Sequence, residues 1–159
     1  MAERVHIRPI KLGDALKLRR LFKKALYRDF SYFPGEYLEQ VERQNSLYKL
    51  GKASISRNRL LLGLYNKRKL VGYVIADMHD PKENYVFWLY VSPDMRGGGN
   101  GADLFNKALD SMSNRGAHSV YLMTHSNEDF YKSFGFDTIH SNSNVFEGIT
   151  MHEMAKDFR

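Results

Sequence analysis

The sequence predicts a single α/β domain over residues 1–159, a central sheet flanked by helices. Three observations carry that expectation. A chain of 159 residues suits one substantial hydrophobic core and is too short for two comfortable ones. Apolar residues recur at a helical period as far as about residue 50 and then turn to strand-like runs from Arg59. Finally, a strand-like run ending at Val91 passes through a glycine cluster into an apolar helical stripe that begins at Gly101.

Taken in order, "VHIRP" at residues 5–9 alternates and stops at Pro9, which suits a short first strand. Asp14 is placed to cap a helix in which Leu18, Leu21, Phe22 and Ala25 form the apolar side and Lys17, Arg19, Arg20, Lys23 and Lys24 the other. The aromatic connector "YRDFSYFPGEY" leads to a second, more polar helix from about Pro34 to Leu50. "RLLLGLY", the turn "NKRK" and "LVGYVIAD" read as a β-hairpin, and "ENYVFWLYVS" as a third buried strand. After the glycines, Gly101, Leu104, Phe105, Ala108, Leu109 and Met112 make one helical stripe, stopped near Arg115 and Gly116. "SVYLMT" is the next strand, "EDFYKSF" a short helix, and "FDTIH" and "VFEGITMHEM" the last two strands. The order is β-α-α-β-β-β-α-β-α-β-β, with no repeat, linker or low-complexity segment.

Composition excludes several classes. There is no apolar run of about 18 residues to span a bilayer, and the amino-terminal "MAERVHIRPI" has charges where a leader needs an apolar stretch. A cytoplasmic location without membrane attachment is therefore expected. With no cysteine there is no disulfide, thiolate metal site or cysteine nucleophile. The six histidines show no metal spacing, so no metal is expected. The net charge of +6 is uneven: residues 1–60 hold 14 Lys and Arg against 6 Asp and Glu. A solvated helix face explains this, and an anionic partner is the alternative. Recognition motifs for nucleic acid are missing, so an RNA-associated basic domain rests on charge alone.

The glycine loop asks for a ligand. Glycines held in ordered structure cost roughly 0.5–1 kcal/mol each against alanine. Between a strand and a helix they leave backbone amides bare, and the helix dipole favours a negative charge there. The P-loop pattern fails because no Gly-Lys-Ser or Gly-Lys-Thr follows. The dinucleotide pattern fits on paper at Gly97, Gly99 and Ala102, but "SPDMR" separates Val91 from Gly97 and the next strand supplies no acid. A plain turn cluster beside an aromatic core helix is the structural alternative.

"VSPDMRGGGNGADLF" resembles motif A of the GNAT superfamily of N-acetyltransferases, an Arg or Gln, two residues, Gly, one residue, then Gly or Ala. Arg96, Gly99 and Gly101 fill those places, with Val91 and Pro93 upstream. "NEDFYKSFGF" at residues 127–136 resembles the family's motif B, one helix and one strand further on. The resemblance implies a GNAT-type mixed, mostly antiparallel sheet over nearly the whole chain.

It also implies acetyl-CoA as acyl donor and an amine as acceptor. The amides of Gly97, Gly98, Gly99, Asn100, Gly101 and Ala102 would hold the pyrophosphate beside Arg96. The pantetheine arm would pair with the strand edge at Leu89, Tyr90 and Val91 and meet Asn127. Tyr131 stands where family members place the tyrosine that meets the CoA sulfur and acts as general acid, and an amide near Val91 would serve the developing oxyanion. Histone-type members carry a base glutamate where this chain has Tyr85. Glu83, on the same strand face, is left to act through water, with Asp77, His79 and Asp80 as further candidates.

The acceptor pocket is expected between the helix connector, with Tyr32, Phe33, Tyr37, Asp29 and Glu36, and the last strands. Neutralising a lysine-like amine at pH 7 costs roughly 4.6 kcal/mol, against about 1.1 for an α-amine, so a site without a placed carboxylate favours the second. A non-catalytic acyl-CoA-binding sensor is the alternative function. The chain is expected as a monomer or homodimer.

Overall fold

The computed structural model describes residues 5–158; the extreme amino-terminal residues used above in the leader argument lie outside them. The strands are β1 (Val5–Pro9), β2 (Arg59–Asn66), β3 (Lys69–Asp80), β4 (Glu83–Val91), β5 (Ser119–Thr124), β6 (Asp137–Phe146) and β7 (Ile149–Asp157). The helices are α1 (Ala15–Asp29), α2 (Gly35–Gln44), α3 (Leu47–Ser54), α4 (Asn100–Asn114) and α5 (Glu128–Lys132). They build one seven-stranded sheet in the order β1-β2-β3-β4-β5-β7-β6. Every neighbouring pair is antiparallel except β4 and β5.

Strand alternation divides the core between the two faces of the sheet. Leu60, Leu62 and Leu64 of β2 join Val86, Val120 and Leu122 under α4, where Leu104, Phe105, Ala108 and Met112 are buried. Leu61 and Tyr65 of β2 face the other way and meet Tyr73, Ile75, Tyr90 and the α1 residues Leu18, Phe22 and Leu26. Each of these large side chains contributes roughly 1.5–3 kcal/mol of burial free energy.

Three details differ from the sequence reading. The stretch read as one helix from about Pro34 to Leu50 is two. Asn45 ends α2, its side-chain amide donating to Val41 O (2.9 Å), and the extended Ser46 caps α3 by accepting from Lys49 N (3.3 Å). Asp14 does not cap α1 with its side chain. Its carboxylate instead pairs with Arg8 (2.8 Å) and Lys17 (3.0 Å) and accepts from the Tyr65 hydroxyl (3.0 Å), tying β1, α1 and β2 together. Finally, "VFEGITMHEM" is not one strand. Gly148, at φ 72°, turns the chain between Phe146 and Ile149, so the segment is the tip of the β6–β7 hairpin.

Candidate active site

The site begins where β4 leaves β5. The parallel pairing covers only Asn84–Val86 against Val120–Leu122, although β4 runs on to Val91. Asn84 pins the paired end: buried, it donates to Pro81 O and Ser119 O, both at 2.9 Å. Beyond Val86 the strand bulges. Ile75 and Ala76 of β3 are consecutive, yet they pair with Trp88 and Val86, leaving Phe87 as the extra residue. Val86 therefore packs under α4 while Trp88 and Tyr90 face α1. The bulge bends β4 away from β5, and a cleft of about 1400 Å³ opens between them.

Arg96 lines this cleft, and the glycine loop follows it directly in the chain. Gly97 and Gly99 both have φ of 83°, the left-handed region that favours glycine. Gly98 has no such need, and a Cβ on it would meet nothing within 4 Å. Internal packing does not call for glycine there. Asn100 opens α4 and donates from its amide to Met95 O (2.9 Å), closing the loop beneath the helix start. Gly101 and Ala102 form the first turn of α4, and a Cβ on Gly101 would lie 3.8 Å from Val91. Arg96 folds back: its Nε donates to Val91 O (2.7 Å), and a terminal nitrogen lies 3.8 Å from Asp29 Oδ2. Its guanidinium also lies 5.4 Å from the Tyr90 ring centroid. Arg96 thus closes the strand edge at Val91 and leaves Leu89 as the open part of it.

The Tyr90 side chain is buried on the α1 face, its hydroxyl donating to Asp29 Oδ2 (2.6 Å), so this residue presents only backbone to the cleft edge. Burial, and then the Asp29 carboxylate, push the Tyr90 phenol up to about 12.

Asn127 and Tyr131 line the opposite wall. Asn127 is the cap residue of α5, held by its backbone N–H to Thr124 Oγ1 (3.3 Å), and its own side chain makes no cap bond. The Tyr131 ring is wedged edge-on between Phe105 (centroids 5.3 Å) and Phe130 (5.1 Å). Its hydroxyl has no hydrogen-bond partner among the described residues. Burial pushes this phenol up to about 12, so it carries its proton throughout the neutral range.

The half of the cleft expected to take the acceptor lies across the sheet face toward α2. Phe33 is buried, and its ring meets Tyr32 (4.6 Å), Tyr37 (5.2 Å) and Phe146 (5.1 Å). Tyr32 also lies against His125 (4.6 Å), joining the helix connector to the end of β5. The expected carboxylates are placed differently from one another: Asp29 is engaged by Tyr90 and Arg96, and Glu36 is exposed and does not line the cleft.

Tyr85 lines the wall beside Tyr121 (5.4 Å), and burial, then the charges of Glu83 and Glu153, push its phenol up. Glu83 stands exposed at the start of β4, outside the cleft lining, opposite Asp80 in the hairpin. Asp77 lies 3.1 Å from His79 Nε2. The carboxylate that does line the acceptor half is Glu153, which sequence reading missed because it placed the last strand across the hairpin tip. Phe146 was missed for the same reason. Among the described residues no group of three or more His, Asp or Glu is placed to hold a metal ion, and no helix is long and apolar enough to cross a membrane.

The acetyltransferase (GNAT) domain family matches residues 33–158, and the chain belongs to that family. No curated protein sequence matches it significantly. Among solved structures it is similar to the PaiA N-acetyltransferase of Thermoplasma acidophilum in complex with coenzyme A, with TM-score 0.79 at 20% identity over 98% of this chain and 99% of that one. It is also similar to the ribosomal-protein-S18-alanine N-acetyltransferase of Escherichia coli, with TM-score 0.75 at 18% identity over 97% and 94% of the two chains. A third similar fold is aminoglycoside 6'-acetyltransferase type Ii, with TM-score 0.73 at 17% identity over 96% of each chain. The chain is an acetyl-CoA-dependent acyltransferase of this fold, and at these identities the neighbours speak for the fold alone.

Proposed function

We propose that the whole chain acts as one domain that transfers an acetyl or short acyl group from CoA to a primary amine, by direct attack in a ternary complex. The observation that carries this reading is the cleft between β4 and β5, open beyond Val86 and lined by Val91 and Arg96, which lead into the glycine loop, and by Asn127 and Tyr131. The amides of Gly97 to Ala102 hold the pyrophosphate at the start of α4, where the dipole adds about 0.3–1 kcal/mol. The pantetheine arm pairs with the open edge at Leu89 and reaches Asn127, replacing the strand pairing that β4 gives up.

The chemistry then needs three things. The acceptor amine must be neutral, the thioester carbonyl polarised, and the thiolate protonated as it leaves. The neutral amine nitrogen attacks the carbonyl carbon, the C–S bond breaks, Tyr131 gives its proton to the sulfur, and the proton shed by the nitrogen leaves through a base or water while Tyr131 is reprotonated from solvent. A free thiol has a pKa near 8.5, so a phenol at about 12 would be a poor acid for it in water. The burial that raises the phenol would destabilise a thiolate beside it as well, which brings the proton transfer toward balance. An amide near Val91 serves the oxyanion. With Tyr85 where a base would be expected and Glu83 outside the cleft lining, no carboxylate of β4 meets the amine directly, which favours an amine that is already partly neutral, such as an α-amine.

Tyr85 also supports a second reading, an acyl-CoA-binding sensor without chemistry. Incubation with acetyl-CoA and a panel of amines separates the two: acceptor-dependent CoA release is expected of the enzyme, and tight binding with no release by any amine is expected of the sensor. The cytoplasm is the proposed location, and the protein is proposed to act as a monomer or homodimer without nucleic acid.

A further inference from the structure

The cleft lining carries charged side chains of both signs. Of the two carboxylates that line the cleft, Asp29 is taken up by Tyr90 and Arg96. That leaves Glu153. It stands on β7 in register with Met123 of β5 and His140 of β6, close enough to Tyr85 to raise the phenol, and no hydrogen bond or ion pair among the described residues engages its side chain.

Arg59 and Lys49 line the cleft as well. Arg59 is half-buried and lays its guanidinium over the exposed Phe87 ring, 5.7 Å from the centroid. Its register partner Asp77 lies against His79 instead, and neither Arg59 nor Lys49 has an ion-pair partner among the described residues. Two cations lining one groove without an acidic partner favour an anion there.

Resting on the function proposed above, we infer that the acceptor is an amine carrying a negatively charged group, its ammonium received by Glu153 and its anion by Arg59 and Lys49. The separation follows from the sheet. Glu153 on β7 and Phe87 on β4 are two strand spacings apart, roughly 10 Å, and more where β4 leaves β5. At about 3.3 Å per residue, that is the length of three extended residues. A peptide amino terminus followed by an acidic side chain at the third position fits this span. Glu153 orders the ammonium near the thioester and takes up the proton it sheds, the role that Tyr85 cannot fill.

Three C-terminally amidated tripeptides, Ser-Gly-Glu, Ser-Gly-Gln and Ser-Gly-Lys, provide the test. Calorimetric binding to the full chain saturated with CoA is measured alongside acetylation with acetyl-CoA. The Glu peptide is expected to bind and react at least tenfold better than the Gln peptide, and the Lys peptide worst. The double variant Arg59→Gln/Lys49→Gln should erase that ranking, and Lys49→Gln alone, on an exposed helix position, should narrow it if the double variant does not fold. Glu153→Gln should lower kcat/KM at least tenfold for all three, with Glu153→Asp recovering part and acetyl-CoA affinity unchanged. Equal binding of the Glu and Lys peptides, binding of none of them, or full activity in Glu153→Gln overturns the inference. Peptide binding in the expected order without any CoA release would instead overturn the proposed acetyl transfer and leave the acceptor charge pattern standing.

Discussion

Val86 pairs with Leu122 across the parallel junction, and it is the last residue of β4 to reach β5. The bulge at Phe87 follows at once, so one extra residue both turns Trp88 to the opposite face and opens the cleft. The cleft proposed to seat the donor is thus a consequence of strand geometry before any side chain acts.

Gly98 offers a clean probe of that seat. Its φ lies outside the left-handed region and a Cβ there meets nothing. Gly98→Ala should therefore fold with an unchanged Tm, yet weaken acetyl-CoA binding by about tenfold, on the order of 1.4 kcal/mol, by crowding the phosphates. Gly116→Ala is the control: at φ 92° it should lose more than about 1 kcal/mol of stability and keep its acetyl-CoA affinity. Calorimetric titration and thermal melts check both.

Arg96→Gln removes the Nε bond to Val91 O and the cation beside the loop. The lost internal bond should cost about 0.5–1.5 kcal/mol of stability. Acetyl-CoA affinity should fall severalfold and become less sensitive to salt, because one of the charges facing the phosphates is gone. Binding measured at low and high ionic strength reads both effects.

Acid should weaken the junctions of α1 with the rest of the molecule. Hydrogen bonds from Lys17 and Arg8 hold the Asp14 carboxyl at about 2, and those from Tyr27 and Arg19 hold Glu42 at about 2. Both values lie below the ordinary carboxylate range near 4. Their stabilisation is therefore complete above about pH 4 and is lost as pH falls toward 2, on the order of 1–2 kcal/mol for each largely shielded group. The double variant Asp14→Asn/Glu42→Gln should be less stable at pH 7 and show a flatter pH dependence between 4 and 2 in denaturant titrations.

Phe105 is fully buried and holds the Tyr131 ring edge-on. Phe105→Leu should cost about 1–2 kcal/mol of stability. It should lower kcat more than it raises KM for acetyl-CoA, since it loosens the hydroxyl and leaves the glycine loop intact. Steady-state kinetics at a temperature well below the melting transition separate the two.

Much of this was legible in sequence where local chemistry speaks. Proline and glycine punctuate the chain clearly, and "SVYLMT" is β5 to the residue. Of the residues singled out in the two motifs, Arg96, Asn127 and Tyr131 line the cleft. What stayed hidden depends on pairing between distant strands. Nothing local in "ENYVFWLYV" announces that Phe87 is extra, because a bulge is defined by Ile75 and Ala76 opposite it. The hairpin at Gly148 was read as continuous strand since "VFEGITMHEM" is apolar on both sides of the turn. That misphasing concealed Glu153 and Phe146. Asp29, suited by composition to the acceptor, proved to be bound to Tyr90, 61 positions away.

The central claim, that Tyr131 completes an acetyl-transfer cleft, is tested most directly by acceptor-dependent CoA release from the unaltered chain and from Tyr131→Phe. The expected result is turnover that drops by roughly 100-fold or more in the variant, the usual contribution of a general acid, with acetyl-CoA Kd within about twofold. The unaltered chain should also show no loss of kcat below about pH 10 from Tyr131 ionisation, as its phenol is held near 12. Equal turnover in the two proteins, or no acceptor-dependent release in either, would contradict the account.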